Sequence, residues 1–283
     1  MHVYSDFNLT YYNSYRIHST CKNAFFPDNE DEVFQLCKDD TGFIVLGSGN
    51  NVILSKEYYD ESFIILNGNL NHALFEGDVV EAESGILMSD LCKQALEREL
   101  SGIEIFYDIP SSLGGAIYMN AGANGEEIKD VLIKVRYLDL NEMKIREVQK
   151  HEILFEYRNS YFQQNNKNVI LKSWLQLHKK EKEKISLKME SFKLQRWAKQ
   201  PREFPNAGSV FKRPKEMFVG HIIEKLGLKG FSVGGAMVSE KHAGFIINVA
   251  NATGNDILSL IKIIQQRVKD ECNIDLIVEQ RVI

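Results

Sequence analysis

Residues 109–125, I-P-S-S-L-G-G-A-I-Y-M-N-A-G-A-N-G, constrain this chain more than any other stretch. Gly114, Gly115, Gly122 and Gly125 stand among Ala116, Ala121 and Ala123, with one apolar step, Ile117-Tyr118-Met119. Glycine at this density weakens helix and strand alike, so the backbone here needs left-handed angles or a close approach. Small side chains leave backbone N–H groups open on one surface, which suits an anionic or planar ligand lying against the main chain. A tight turn explains one glycine pair. A stretch of this length reads as a ligand bed.

A second glycine loop lies upstream. Phe43-Ile44-Val45-Leu46 reads as a short buried strand; Gly47-Ser48-Gly49-Asn50-Asn51 follows at once, and Val52-Ile53-Leu54 resumes the apolar run. The dinucleotide fingerprint G-x-G-x-x-G needs a small third residue that opens a helix. Here that position is Val52, among β-formers. The Rossmann reading fails, and a strand–loop–strand whose N–H groups form an anion nest remains.

Around these loops the pattern is α+β. A helix with acids in its first turn (Glu30, Asp31, Glu32) ends at Gly42, and strands are expected at 63–66 and 79–83. A helix at 88–100 is stopped by Gly102. After the glycine bed come a hairpin of 131–140 and 143–149 around Asn141-Glu142 and a strand at 169–178. Lys179 to Lys184, K-K-E-K-E-K, is the candidate linker, and its alternating charges read as a solvated helix start rather than a basic patch. Helices are expected at 185–199, 217–226 and 254–273, and a final strand at 274–283. At 283 residues with 44% apolar content, the chain has material for two or three lobes.

Charge and cysteine usage exclude several classes. The 34 basic and 39 acidic residues mix along the chain for a net charge of −5, which argues against a nucleic-acid partner. No apolar run approaches the roughly 18 residues of a membrane span, and the first residues lack the basic start and apolar run of a secretion signal. The cytoplasm is the expected compartment. Cys21, Cys37, Cys92 and Cys272 share no C-x-x-C spacing and the histidines no H-E-x-x-H pair, so reduced thiols and no metal are expected.

Three residues in polar clusters are candidates for chemistry. Arg158 sits in E-Y-R-N-S-Y-F (156–162), Ser209 in N-A-G-S-V-F-K-R-P (206–214) and Glu279 in I-V-E-Q-R (277–281). Taken singly, each reads as a surface or turn residue. Ser209 is not in a nucleophile elbow, because Phe211 stands where G-x-S-x-G requires glycine.

Together the motifs G-S-G-N-N (47–51), 109–125, Y-R-N-S (157–160), A-G-S-V-F-K-R-P (207–214), S-E-K-H-A-G-F-I-I-N (239–248) and V-E-Q-R (278–281) resemble one family, in order and spacing. That family is UDP-N-acetylenolpyruvoylglucosamine reductase, also called UDP-N-acetylmuramate dehydrogenase, in its shorter form without an inserted tyrosine loop. The resemblance runs from about Tyr15 to Ile283. It implies a two-subdomain FAD-binding module of the vanillyl-alcohol-oxidase type (1–56 and 57–180) followed by an α+β substrate-binding domain (181–283). It also implies that Gly47, Ser48, Gly49, Asn50 and Asn51 hold the FAD diphosphate. Ile109, Pro110, Ser112, Gly114, Gly115, Asn120, Ala121 and Gly122 would hold the flavin and its ribityl chain.

The implied reaction reduces UDP-N-acetylglucosamine enolpyruvate with electrons from NADPH, by hydride transfer from flavin N5 to C3 and a proton from Ser209 to C2. Arg158 would stabilise the developing enolate, with Glu279 beside it carrying a proton. Tyr157, Lys212, Arg213 and Lys229 would bind the substrate, and a monomer is expected. The sequence departs from the family at Arg16-Ile17-His18-Ser19-Thr20, where two glycines are usual. Asp108 and Ser111 replace glycines that flank Ile-Pro, and Gln280 replaces an aliphatic residue. Two rivals stay open: another FAD-dependent oxidase or dehydrogenase on the same module, and a non-catalytic flavin or nucleotide-sugar binding relative.

Overall fold

A computed structural model describes residues 1–39, 42–165, 167–214 and 217–283. The end expected for the first helix, just before Gly42, runs through residues outside that set. Contacts divide the chain into two compact units. Residues 1–5, 23–48 and 61–195 form the first; residues 6–22, 49–60 and 196–283 form the second. This division interleaves the N-terminal segments rather than following breaks after 56 and 180.

In the first unit, the strands run in the order Lys144–Gln149, Leu132–Asp139, Asn168–Gln176, Val79–Glu83, Ala73–Glu76, all antiparallel. The expected hairpin is present. Asp139 Oδ1 accepts from Asn141 N at 2.9 Å, and Met143 turns the chain at φ 50°. On Val79–Glu83 the alternation is strict, with Val80 and Ala82 facing the core. Helix Met88–Glu97 lays Met88, Leu91, Cys92 and Ala95 on the same cluster. It stops short of residue 100 because Glu99 turns left-handed (φ 56°) and Leu100–Ser101 pairs with His178–Lys179.

A smaller parallel sheet in the same unit pairs Phe43–Leu46 with Ser62–Ile65, and Phe63 and Ile64 with Ala24 and Phe25. Val33 and Cys37 of helix Glu30–Asp39 pack with Ile64, Leu138, Val169 and Leu171.

The helix start read at 179–184 is present, but it belongs to the first unit instead of linking two domains. Lys182–Lys199 is a helix whose Ile185 and Met189 enter the first unit's core cluster, with Phe192 packed against it. Its alternating charges are one face of an amphipathic helix. Lys188 Nζ reaches Glu126 at 3.1 Å and Glu104 at 3.4 Å. Burial alone would raise the Glu104 carboxyl pKa. The Ser101 hydroxyl, backbone N–H groups and Lys188 outweigh it and hold that pKa below its usual value.

The second unit holds the antiparallel strands Ser232–Val233, Ala236–Val238 and Ile246–Asn248 and helix Gly254–Cys272. That helix buries Ile257, Leu260, Ile261, Ile264 and Val268, the expected stripe. It starts in a capping box: Thr253 Oγ1 accepts from Asp256 N at 3.1 Å, and Asp256 Oδ2 accepts from Thr253 N at 2.9 Å. Backbone N–H donors, first that of Thr253, hold the Asp256 pKa down, so the cap is strongest at neutral pH and weakens as acid protonates the carboxylate. Thr253→Ala is expected to cost about 1 kcal/mol of stability, read from urea unfolding followed by helical circular dichroism.

Two expected elements are shorter than the pattern suggested. Helix 217–226 spans Val219–Lys225. Of the final strand, only Arg281–Val282 enters a ladder, parallel to Val52–Ile53, because residues 277–279 pair instead with 210–212. No helix among the described residues is long and apolar enough to cross a membrane.

Candidate active site

The glycine bed contains a helix, Leu113–Met119. Ser112 caps it, accepting from Gly115 N at 3.4 Å, while Leu113 N and Gly114 N donate to Ile86 O (2.9 Å) and Ser84 O (2.8 Å). The expectation of open N–H groups fails here, because the first donors of the helix are already bonded inside the protein. Glycine disfavours a helix interior by roughly 1 kcal/mol per residue. Complete burial of Leu113, Ala116 and Ile117 offsets that cost. A serine directly ahead of an apolar run was the overlooked start signal.

The far end of this helix is where the Y-R-N-S motif docks. Asn120, at φ 45°, closes the helix left-handed, and its Nδ2 donates to Glu127 Oε2 (3.1 Å) and Glu156 O (2.9 Å). Glu156 and Asn159 exchange backbone hydrogen bonds of 3.1 and 3.2 Å around Tyr157 and Arg158, with Arg158 at φ 53°. The Arg158 guanidinium donates to Asn120 O at 3.3 Å and Gly122 O at 2.5 Å. It lies 4.0 Å from Glu127 and 5.1 Å from the Tyr157 ring. Ser160 Oγ and Gln163 Nε2 both donate to Tyr118 O, at 2.7 and 2.9 Å. The loop thus caps the carbonyl end of the helix, where a cation is favoured. Arg158 is not a loose surface residue, with 18% of its side chain exposed, whereas Tyr157 is exposed.

The loop 47–51 divides between the units after Ser48. Ser48 Oγ accepts from Ser112 N at 3.0 Å, which joins this loop to the helix cap. Gly49 has φ 66°, and a Cβ there would sit 1.9 Å from Tyr12 O, so no side chain fits. Ser14 N donates to Gly49 O at 3.0 Å, and the Ser14 hydroxyl bonds Asn50. Asn51 Nδ2 donates to Glu279 O at 3.3 Å, and Asn51 O accepts from Arg281 N at 2.9 Å. Nearby, Arg16 takes φ 57° without being glycine. Asn13 holds that turn, donating to Ile17 O (3.0 Å) and accepting from Ile17 N (2.9 Å). In the bed itself, Ile109 packs on the core cluster, Pro110 is exposed, Ala121 N returns to Ala116 O at 2.8 Å, and Gly122 pairs with Glu127.

In the second unit, Ser209 and Glu279 lie on neighbouring extended segments. Ser209 bridges Phe245, Val210 N donates to Gly244 O at 3.0 Å, and Glu279 N donates to Val210 O at 2.8 Å. Val210 and Phe211 are buried, Ser209 is exposed and Glu279 half-buried. Lys212 N donates to Ile277 O at 2.8 Å on the same pair of segments. Arg213 stacks its guanidinium 3.9 Å over Phe218. Lys229 Nζ is ion-paired with Glu224 at 2.7 Å, so its charge is already matched.

Residues 200–283 match the UDP-N-acetylenolpyruvoylglucosamine reductase C-terminal domain, and residues 23–148 match an FAD binding domain. The UDP-N-acetylenolpyruvoylglucosamine reductase of Francisella tularensis is 41% identical over 278 residues, 98% of each chain. The reductase of Petrotoga mobilis is 42% identical over 285 residues, 97% of this chain and 92% of that one. This chain belongs to the UDP-N-acetylenolpyruvoylglucosamine reductase family. The crystal structure of the reductase from Thermus caldophilus has the same fold, with a TM-score of 0.84 at 26% identity, covering 99% of this chain and 98% of that one. The α+β fold of the FAD-binding type is therefore the one expected.

The residues present fit the family's cofactor. Ser84 Oγ, Ser111 Oγ and Asn120 Oδ1 are buried without a protein partner, and all three surround the Leu113–Met119 helix. Unpaired buried polar atoms are costly, so three of them around one helix point to a polar ligand that completes them. One of them, Ser111, stands where the resemblance leads one to expect glycine. Sequence reading missed Ser84 and Gln163 and gave Ser160 no role of its own, because these residues act through contacts across tens of residues that no local pattern signals.

Proposed function

We propose that this chain reduces UDP-N-acetylglucosamine enolpyruvate to UDP-N-acetylmuramate with NADPH, in peptidoglycan precursor synthesis. The observation that carries this reading is near-full-length similarity to reductases of that name at 41 and 42% identity. When bound, FAD supplies the two-electron carrier chemistry between NADPH and the enolpyruvyl group.

Gly47, Ser48, Gly49, Asn50 and Asn51 hold the FAD diphosphate. Ile109, Pro110, Ser112, Gly114, Gly115, Asn120, Ala121 and Gly122 hold the flavin and its ribityl chain, with Ser84 and Ser111 added to that set. Arg158 stabilises the negative charge that develops on the substrate carboxylate. Two backbone carbonyls fix its guanidinium before reaction, as electrostatic catalysis requires. Ser209 gives its hydroxyl proton to C2, and its exposure lets solvent restore that proton. Glu279 accompanies the developing enolate. Lys212, Arg213 and Tyr157 remain substrate contacts, while Lys229 would first have to leave Glu224. We assign the enzyme to the cytoplasm as a monomer; all four cysteines are free thiols, in keeping with a reducing compartment.

Anaerobic addition of NADPH to the FAD-loaded protein should bleach the flavin band, and the enolpyruvyl sugar should then restore it. Bleaching without recovery would transfer the protein to the oxidase or dehydrogenase reading. Failure to take up FAD at all would mark a non-catalytic relative.

A further inference from the structure

Gln280 is 4% exposed and Tyr15 is completely buried. A side-chain amide is costly to bury unless its polar atoms are bonded. Gln280 Oε1 accepts from the Tyr15 hydroxyl at 2.9 Å, and Nε2 donates to Ala207 O at 3.0 Å and Gly208 O at 3.3 Å. The two carbonyls can only accept, so the amide nitrogen must face them and its oxygen must face the phenol. Burial pushes the Tyr15 pKa well up, which keeps the phenol a donor. Tyr15 is anchored in turn, its carbonyl accepting from Asn248 Nδ2 at 2.8 Å.

This chain of bonds ends at the residue before Ser209. Gly208 has φ 79° and no atom within 4 Å of where a Cβ would be, so no neighbour packs against that side of it. Asn206 Oδ1 accepts from Gly208 N at 3.1 Å, and Gln280 holds Gly208 O. A small rotation at a glycine open on one side would shift the next side chain, and proton transfer needs hydrogen-bond reach.

We propose that Gln280, oriented by Tyr15, is a positioning residue that fixes the 207–208 backbone and thereby aims the Ser209 hydroxyl. This rests on the proposed role of Ser209 as proton donor. Gln280 itself touches no reacting atom.

The test uses FAD-loaded Gln280→Met, Tyr15→Phe, the double variant and Ser209→Ala, each reduced by NADPH and then mixed with the enolpyruvyl sugar. Gln280→Met should be reduced at the wild-type rate but reoxidised about 10- to 100-fold more slowly, with KM unchanged. Its solvent deuterium isotope effect on reoxidation should be enlarged. Tyr15→Phe should show a smaller effect of the same kind, and the double variant should be no slower than Gln280→Met alone. In the cofactor-free protein, amide exchange at 207–210 should quicken. Wild-type reoxidation and isotope effect in Gln280→Met, beside an impaired Ser209→Ala, would overturn the positioning role alone. Normal reoxidation in Ser209→Ala would overturn the proton-donor reading and this inference with it. Should Gln280→Met not fold, Tyr15→Phe decides by the same isotope effect.

Discussion

Ser209→Ala is expected to keep FAD and to be reduced by NADPH normally, while reoxidation by the enolpyruvyl sugar falls about 10²–10⁴-fold. The split follows from chemistry. Electron entry from NADPH needs no proton from Ser209, whereas protonation at C2 does. A hydroxyl is a weak acid in water, so its proton moves only when strong basicity develops at carbon beside it. The side chain is exposed, and buried Val210 and Phe211 anchor the extended segment that carries it, so loss of one oxygen leaves the fold untouched. Stopped-flow absorbance of each half-reaction separates the two effects. Equal loss in both halves would mean that Ser209 supports cofactor binding instead, and no loss in either would remove it from the mechanism.

How much was legible in the sequence depended on the range of the forces involved. The Gly254–Cys272 helix, the 132–149 hairpin and the Val79–Glu83 strand were readable because periodicity and turn residues are local signals. The Leu113–Met119 helix was hidden because its glycines argue against helix, and only burial against the sheet overrides them. At Lys179 to Lys184 the alternating charge marked the solvated start of a helix but not what it packs on; the burial of Ile185 and Met189 decides that. At the site, Arg158, Ser209 and Glu279 each looked bland alone and gained meaning only as an ordered set. Gln280 read as a mere departure in the sequence. The hydroxyl that orients its amide comes from Tyr15, at the other end of the chain.

Arg158→Ala should lower both rate and stability, because it removes two functions at once. Loss of a preorganised donor to developing charge costs about 10²–10³-fold in the reoxidation rate. The same change leaves Asn120 O and Gly122 O without their charged donor, a loss of about 1.5–3 kcal/mol for each bond at most. The backbone offers no relief, since alanine at φ 53° is as strained as arginine. Arg158→Gly would remove that strain, worth about 1–2 kcal/mol, and should therefore be the more stable of the two while equally inactive. Arg158→Lys keeps the charge but not the planar fork that spans both carbonyls, so its reoxidation should stay well below wild type. Thermal melts of the three variants beside their half-reaction rates separate the roles. Lowered stability with wild-type reoxidation would leave Arg158 as the cap of the glycine-rich helix and nothing more. If instead reoxidation falls alike in the alanine and glycine variants while their melts diverge, the guanidinium acts on the substrate.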